Sequence, residues 1–211
     1  MANLFQAKGL KSGDRVGILL PQSVETGIAH IAAWKAGIIS IPLFTLFGSD
    51  ALRFRLTDSG ARALITDIEN LGKIESIRES LPDLESVIVT NAGSSDSQMI
   101  DFWTSLDAAS DQFTPLKTRA ESPSFISYTS GTTGQPKGAL HAHRTMIGHL
   151  PGIEIPHEFF PKKGDLMWTP ADWAWIGGLM NCLMAAWFHG VPVLAHRDQK
   201  YDPERAVHLM A

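Results

Sequence analysis

The sequence predicts an α/β protein: a largely parallel sheet with flanking helices. Three observations predict it. Short β-branched runs alternate with longer stretches of helical period, cap and stop residues fall between them, and no internal repeat or low-complexity tract interrupts the pattern. Strands alternating with helices imply right-handed βαβ units.

Taken in order, Arg15–Leu20 reads as a strand, and Ser23 caps a helix through Trp34 that stops at Gly37. Ile38–Leu43 is the second strand. Ser49 and Asp50 open a helix ending near Gly60, Arg62–Thr66 is the third strand, and a helix follows to Leu81, just before Pro82. Val87–Thr90 is the fourth strand. Asn91–Ser97 is polar and glycine/serine-rich, so it reads as an exposed loop, and a short helix follows over Phe102–Ala109. Thr114–Pro123 reads as a linker. It divides the chain into a first α/β subdomain over 1–113 and a second segment over 124–211. In the second segment, Ser124–Tyr128 is a strand and His141–Leu150 a helix. Leu166–Thr169 is a strand, Trp175–Phe188 a helix, Val191–Ala195 a strand, and a last helix begins at Asp202. That helix carries Ala206, Val207, Leu209 and Met210 with no capping residue after it, so both ends of the chain read as cut.

Composition narrows the function classes. With 44% apolar and 19% charged residues the chain has the balance of a globular protein, not a disordered one. The net charge is −4 and no basic stripe is visible, which argues against a nucleic-acid partner. Cys182 is the single cysteine, so no internal disulfide is possible, and a cytoplasmic setting fits. The apolar stretch Trp175–Ala195 is interrupted by Asn181, His189, Gly190 and Pro192, and reads as a buried helix and strand, not a membrane span.

The chemistry lies in Tyr128–Gly138 (YTSGTTGQPKG). Glycines let a backbone approach a ligand closely. The hydroxyls of Thr129, Ser130, Thr132 and Thr133 can donate to phosphate oxygens, and successive N–H groups around Gly131 and Gly134 can form an anion nest. Lys137 adds a point charge. The spacing fails the Walker A pattern, because Gln135 and Pro136 separate Gly134 from Lys137, and a G-x-G-x-x-G fingerprint is also absent. His141 and His143 have no cysteine or carboxylate nearby to complete a metal site.

This loop, followed by His141-Ala142-His143, resembles the signature of the adenylate-forming superfamily, which includes acyl-CoA synthetases, luciferases and peptide-synthetase adenylation domains. Ala33–Phe44 (AWKAGIISIPLF) is similar to the family's segment ahead of the loop. Thr169–Gly178 (TPADWAWIGG) is similar to the segment after it in acetyl- and medium-chain acyl-CoA synthetases. The resemblance covers essentially the whole chain and implies part of the large N-terminal domain. It implies ATP-dependent activation of a small carboxylic acid to acyl-AMP and then acyl-CoA, with ATP, Mg²⁺ and coenzyme A. Thr129 to Lys137 would wrap the β- and γ-phosphates, and Trp175, Ile176 and Gly177 would line the acyl pocket, with Gly177 leaving room for an acid larger than acetate. Trp173 and Trp175 fit a core role as well as a pocket role, and His143 fits packing as well as substrate contact. The family's adenine-binding and ribose-binding motifs and its catalytic lysine have no counterpart here. The resemblance therefore implies that the chain works with a missing remainder of the synthetase and is inactive alone.

Two other readings stay open on the residues alone. A phosphotransferase could use the same loop, and would release ADP. A non-catalytic binding module would expose a sheet edge to a partner.

Overall fold

A computed structural model describes residues 1–92, 99–130, 134–196 and 201–210. Arg15–Leu19 (β1), Ile39–Pro42 (β2), Ala63–Asp67 (β3), Ser86–Thr90 (β4), Ile100–Asp101 (β5) and Pro123–Thr129 (β6) run parallel, and Lys137–Ala142 (β7) lies antiparallel to β6. Together they form one sheet in the order β5-β4-β3-β1-β2-β6-β7. The sheet continues across residues 114–123, because β6 pairs with β2 at Ser40↔Phe125.

The helices are Ala2–Ala7 (α1), Val24–Lys35 (α2), Ser49–Ser59 (α3), Ile68–Glu75 (α4), Phe102–Ala108 (α5), Arg144–Glu154 (α6), Ala185–Phe188 (α7) and Pro203–Met210 (α8). Strand side chains alternate between the two faces of a sheet. Val16, Ile18 and Ile65 accordingly share one core with Phe5, Ala29, Ala33 and Phe102, while Leu19 and Leu64 share another with Leu52, Leu56 and Ile74. Helices α1, α2 and α5 thus cover one face and α3 and α4 the other. Each leucine or isoleucine so buried contributes about 1.5–3 kcal/mol.

Local signals set the helix ends. Ser23 Oγ accepts from Thr26 N at 3.3 Å, and Gly60 takes the left-handed conformation (φ 58°) that ends α3. Asp67 closes β3 and caps α4 directly, its Oδ1 accepting from Asn70 N at 2.8 Å.

The structure corrects several expectations. The residues after the glycine/threonine loop form β7 before α6 begins at Arg144, so the loop turns a hairpin and does not lead from strand to helix. The helix expected to run to Leu81 ends at Glu75, and a 3₁₀ turn follows at Arg78–Ser80. The expected strands at Leu166–Thr169 and Val191–Ala195 shrink to a single bridge, Met167↔Val193. The helix expected over Trp175–Phe188 starts as a π-helix, Gly177–Met184, and becomes α-helical only in α7. The loop expected at Asn91–Ser97 falls mostly outside the described residues.

A polar network ties α2 to the sheet centre. Trp34 Nε1 donates to both Ser40 Oγ (3.1 Å) and Ser124 O (2.8 Å), and His30 Nδ1 lies 2.9 Å from Ser40 Oγ. His30 is fully buried, and desolvation lowers its pKa to about 3. Its folded pKa lies below the unfolded value, so the unfolded chain binds the extra proton first as pH falls. The stability this group confers is complete above pH 6.5 and is lost progressively toward pH 3. Acidification from pH 7 to pH 5 should therefore cost about 2 kcal/mol through His30. Urea unfolding across that range should show a smaller slope in His30→Gln; an identical slope would rule His30 out as the cause.

Candidate functional site

The parallel strands place their carboxyl ends on one edge, where open α/β sheets bind ligands. At that edge β6 runs through Tyr128 and Thr129 into the turn, and β7 returns with Lys137 paired to Thr129. Thr129, Ser130, Gly134 and Lys137 are all exposed, with Gly134 at φ +125°, a conformation that disfavours any side chain. Gly131, Thr132 and Thr133 lie outside the described residues. Among the described residues Lys137 has no ion-pair partner, which leaves its charge available to a ligand.

The strand leading into the turn is pinned to α3. Tyr128 O–H donates to Asp58 Oδ2 at 2.7 Å and lies 3.2 Å from Arg55 O. Burial, and next the hydrogen bond to Asp58, raise the Tyr128 pKa, so the phenol stays neutral and donating.

A cavity of about 180 Å³ opens beside this point, lined by Pro42, Phe44, Phe47, Arg55, Tyr128, Ser130, Ala174 and Trp175. Phe44 contacts Phe47 at 5.8 Å and Trp175 at 6.0 Å between ring centroids. Ser130 of the turn and Trp175 of the later segment thus share one cavity, although they are far apart in sequence.

The Trp175 segment is held from the connection between β1 and α2. Gln22 Nε2 donates to Thr169 O (3.0 Å) and Ala171 O (2.6 Å), and Asp172 Oδ1 accepts from Ala174 N at 2.8 Å. This turn separates the two tryptophans. Trp173 is 3% exposed in a core with Phe125, Leu179 and Met180, whereas Trp175 is 57% exposed at the cavity. Ile176 packs on that same core, and Gly177 has open space where a Cβ would stand. The crowded position is Gly178, whose Cβ would fall 2.4 Å from Asp172 O.

The histidines make packing contacts. His141 stacks on Phe125 (4.5 Å, 5°), His143 meets Trp34 edge-on (6.4 Å), and desolvation lowers both pKa values. Nδ1 of His149 lies 2.7 Å from Asn181 Oδ1.

Phe44, Phe47 and Arg55 are cavity residues that sequence reasoning did not assign. Phe44 stands at the end of the segment AWKAGIISIPLF, which could have pointed to it; Arg55 carries no such signal. Among the described residues no group of three or more His, Cys, Asp or Glu could hold a metal ion, and no helix is long and apolar enough to cross a membrane.

Comparison with known proteins gives the fold its relatives. A mouse protein, "Acyl-coenzyme A synthetase ACSM1, mitochondrial", is 29% identical over 99% of this chain and 36% of its own length. The acetyl-coenzyme A synthetase of Novosphingobium aromaticivorans is 33% identical over 90% of this chain and 33% of its own. The chain therefore spans about a third of the length of these curated relatives. Among solved structures, the anthranilate CoA ligase AuaEII in complex with anthranoyl-AMP superposes with a TM-score of 0.85 at 28% identity, over 92% of this chain and 37% of that one. The sheet is thus that of a known group of enzymes. Since the family profile described as "AMP-binding enzyme" matches residues 1–211, the chain belongs to that family.

Proposed function

We propose that this chain supplies the phosphate-binding turn and part of the acyl pocket of an AMP-forming acid–thiol ligase. In this reading a carboxylate attacks the α-phosphorus of ATP, pyrophosphate leaves, and the thiol of coenzyme A then displaces AMP. Both first reactants are anionic, so donors and cations must offset their repulsion and stabilise the charge that builds on the leaving group. Ser130, Lys137 and the backbone of the turn suit that task. Gly131, Thr132 and Thr133 take part by position in the motif. The observation that carries the reading is the convergence of Ser130 and Trp175 on one cavity, which brings the phosphate turn and the acyl segment together. Mg²⁺ would enter with the nucleotide, held mainly by its phosphates and water; among the described residues no group of three or more His, Cys, Asp or Glu stands together to hold a metal ion.

The acid is larger than acetate. A cavity of about 150 Å³ admits a benzene ring, and this one measures about 180 Å³ and is walled by Phe44, Phe47, Tyr128 and Trp175. Trp175 is the acyl contact on this wall; Ile176 and Gly177 act behind it by shaping the start of the π-helix. The lone buried Cys182 is in keeping with a cytoplasmic setting.

The test is carboxylate-dependent ATP–pyrophosphate exchange by the polypeptide that carries these residues. Exchange with benzoate or a medium-chain acid supports the reading, and strict acetate use defeats the pocket assignment. Release of ADP would favour a phosphotransferase. Lys137→Met should raise KM for ATP about 10- to 100-fold, the worth of one charged hydrogen bond, with KM for the acid little changed. An unaltered KM for ATP would remove Lys137 from the site.

A further inference from the structure

Arg55 is a buried cation without an ion-pair partner among the described residues. It lies in α3, is 8% exposed, and stacks on Phe47 with the guanidinium carbon 4.0 Å from the ring centroid and 5.5 Å from that of Tyr128. Nη1 donates to Ala51 O at 2.8 Å, while Nε has no hydrogen-bond partner among the described residues. The neighbouring carboxylate, Asp58, accepts from Tyr128 instead, and Arg55 forms no ion pair among the described residues. Burying a charge without a counter-ion is unfavourable, and stacking on aromatic faces offsets only part of that penalty.

Its position shows where an anion would come from. Arg55 lines the 180 Å³ cavity together with Ser130, the first residue of the turn after β6. It also lines a second cavity of about 670 Å³ between α3 and Gln135-Pro136, on the return side of the same turn. The second cavity includes no residue of the Trp175 segment. Arg55 is the residue common to both linings; Ser130 flanks the first cavity, and Gln135 and Pro136 flank the second, which Asp50, Arg53 and Asp58 also line.

We propose that Arg55 binds phosphate: its guanidinium meets the anion that Ser130 and Lys137 carry, namely the terminal phosphates of the nucleotide and the departing pyrophosphate. This rests on the reading of the turn as a phosphate cradle and adds a second cation, from a different element, to Lys137. A planar fork of donors suits phosphate oxygens better than a single ammonium does. The phosphate arm thus sits between the turn and α3, and the reacting carboxylate lies beyond it, toward Phe44 and Trp175.

Calorimetric titration of the 211-residue chain with inorganic pyrophosphate, and separately with benzoate, tests this. Arg55→Met keeps much of the volume and the stacking but removes the charge. It should weaken pyrophosphate binding about tenfold or more and leave benzoate within about twofold. Lys163→Met, which removes an exposed charge elsewhere, should change neither. Arg55→Lys should retain part of the affinity. Pyrophosphate affinity unchanged in Arg55→Met, with only a lowered melting temperature, would show Arg55 to be a packing clamp. Selective loss of benzoate would assign it to the acid instead. If Arg55→Met does not fold, Arg55→Lys decides: a folded variant with wild-type affinity overturns the proposal. If the unsubstituted chain ignores pyrophosphate, the cradle reading fails and Arg55's role fails with it.

Discussion

Gly178→Ala is expected to destabilise the chain by about 2–4 kcal/mol, whereas Gly177→Ala, one residue earlier, should be close to neutral. A Cβ at 178 would lie 2.4 Å from Asp172 O and 2.9 Å from Ala171 O, and both obstacles are backbone. They cannot yield as a flexible side chain would. Asp172 O also accepts from Trp175 N at 3.1 Å, and Ala171 O accepts from Gln22. Any shift that relieves the clash therefore breaks the turn that sets Trp175 at the cavity. A Cβ at 177 meets nothing within 4 Å. Urea denaturation of the two variants side by side measures the contrast. Equal stabilities would mean that the close approach of Gly178 to Asp172 is not a real constraint. If Gly178→Ala folds, its quenchable tryptophan fluorescence should also change as Trp175 moves.

Phe125→Ala should cost about 3–5 kcal/mol, the usual range for a large side chain removed from a full core. Phe125 is wholly buried and sits where three parts of the molecule meet. It pairs with Ser40 across to β2, stacks on His141 of β7, and packs against Trp173, Leu179, Met180 and Leu183. Phe125→Leu keeps most of the volume and should cost less than about 1.5 kcal/mol. The two variants separate loss of volume from loss of the aromatic stack. A change below about 1 kcal/mol in the alanine variant would mean that the site collapses to fill the void, and that β6 is seated by something other than Phe125.

How much of this was legible in the sequence depended on how local each cause was. β1, β3 and β4 are β-branched or apolar runs bounded by turn residues, and they were placed nearly to the residue. Ser23 and Gly60 act within one turn of their helices, so their caps were legible too. β7 was not. Lys-Gly-Ala-Leu-His-Ala contains no β-branched residue, and it is a strand because β6 supplies a partner. The converse befell Leu166–Thr169 and Val191–Ala195, whose apolar runs find only one bridge to each other. The family was legible because the motif YTSGTTGQPKG that carries the resemblance is contiguous. Trp173 and Trp175 could not be told apart, since the turn at Asp172 decides which one is buried. Arg55 was invisible for a stronger reason. In RFRLTDS it resembles any helix-surface cation, and it is buried only because Phe47 and Tyr128 close over it from outside its own helix.

The strand that carries Lys137 is the outermost in the sheet, and residues Lys137–Leu140 are exposed. Its ladder is made with β6 alone, so bending it outward disturbs one row of amides and leaves the other six strands in register. Lys137 therefore rides on an edge strand of the sheet, whereas Arg55 is fixed in a packed helix. An anion gripped by both would be held between the rim of the sheet and one of the helices packed on its face.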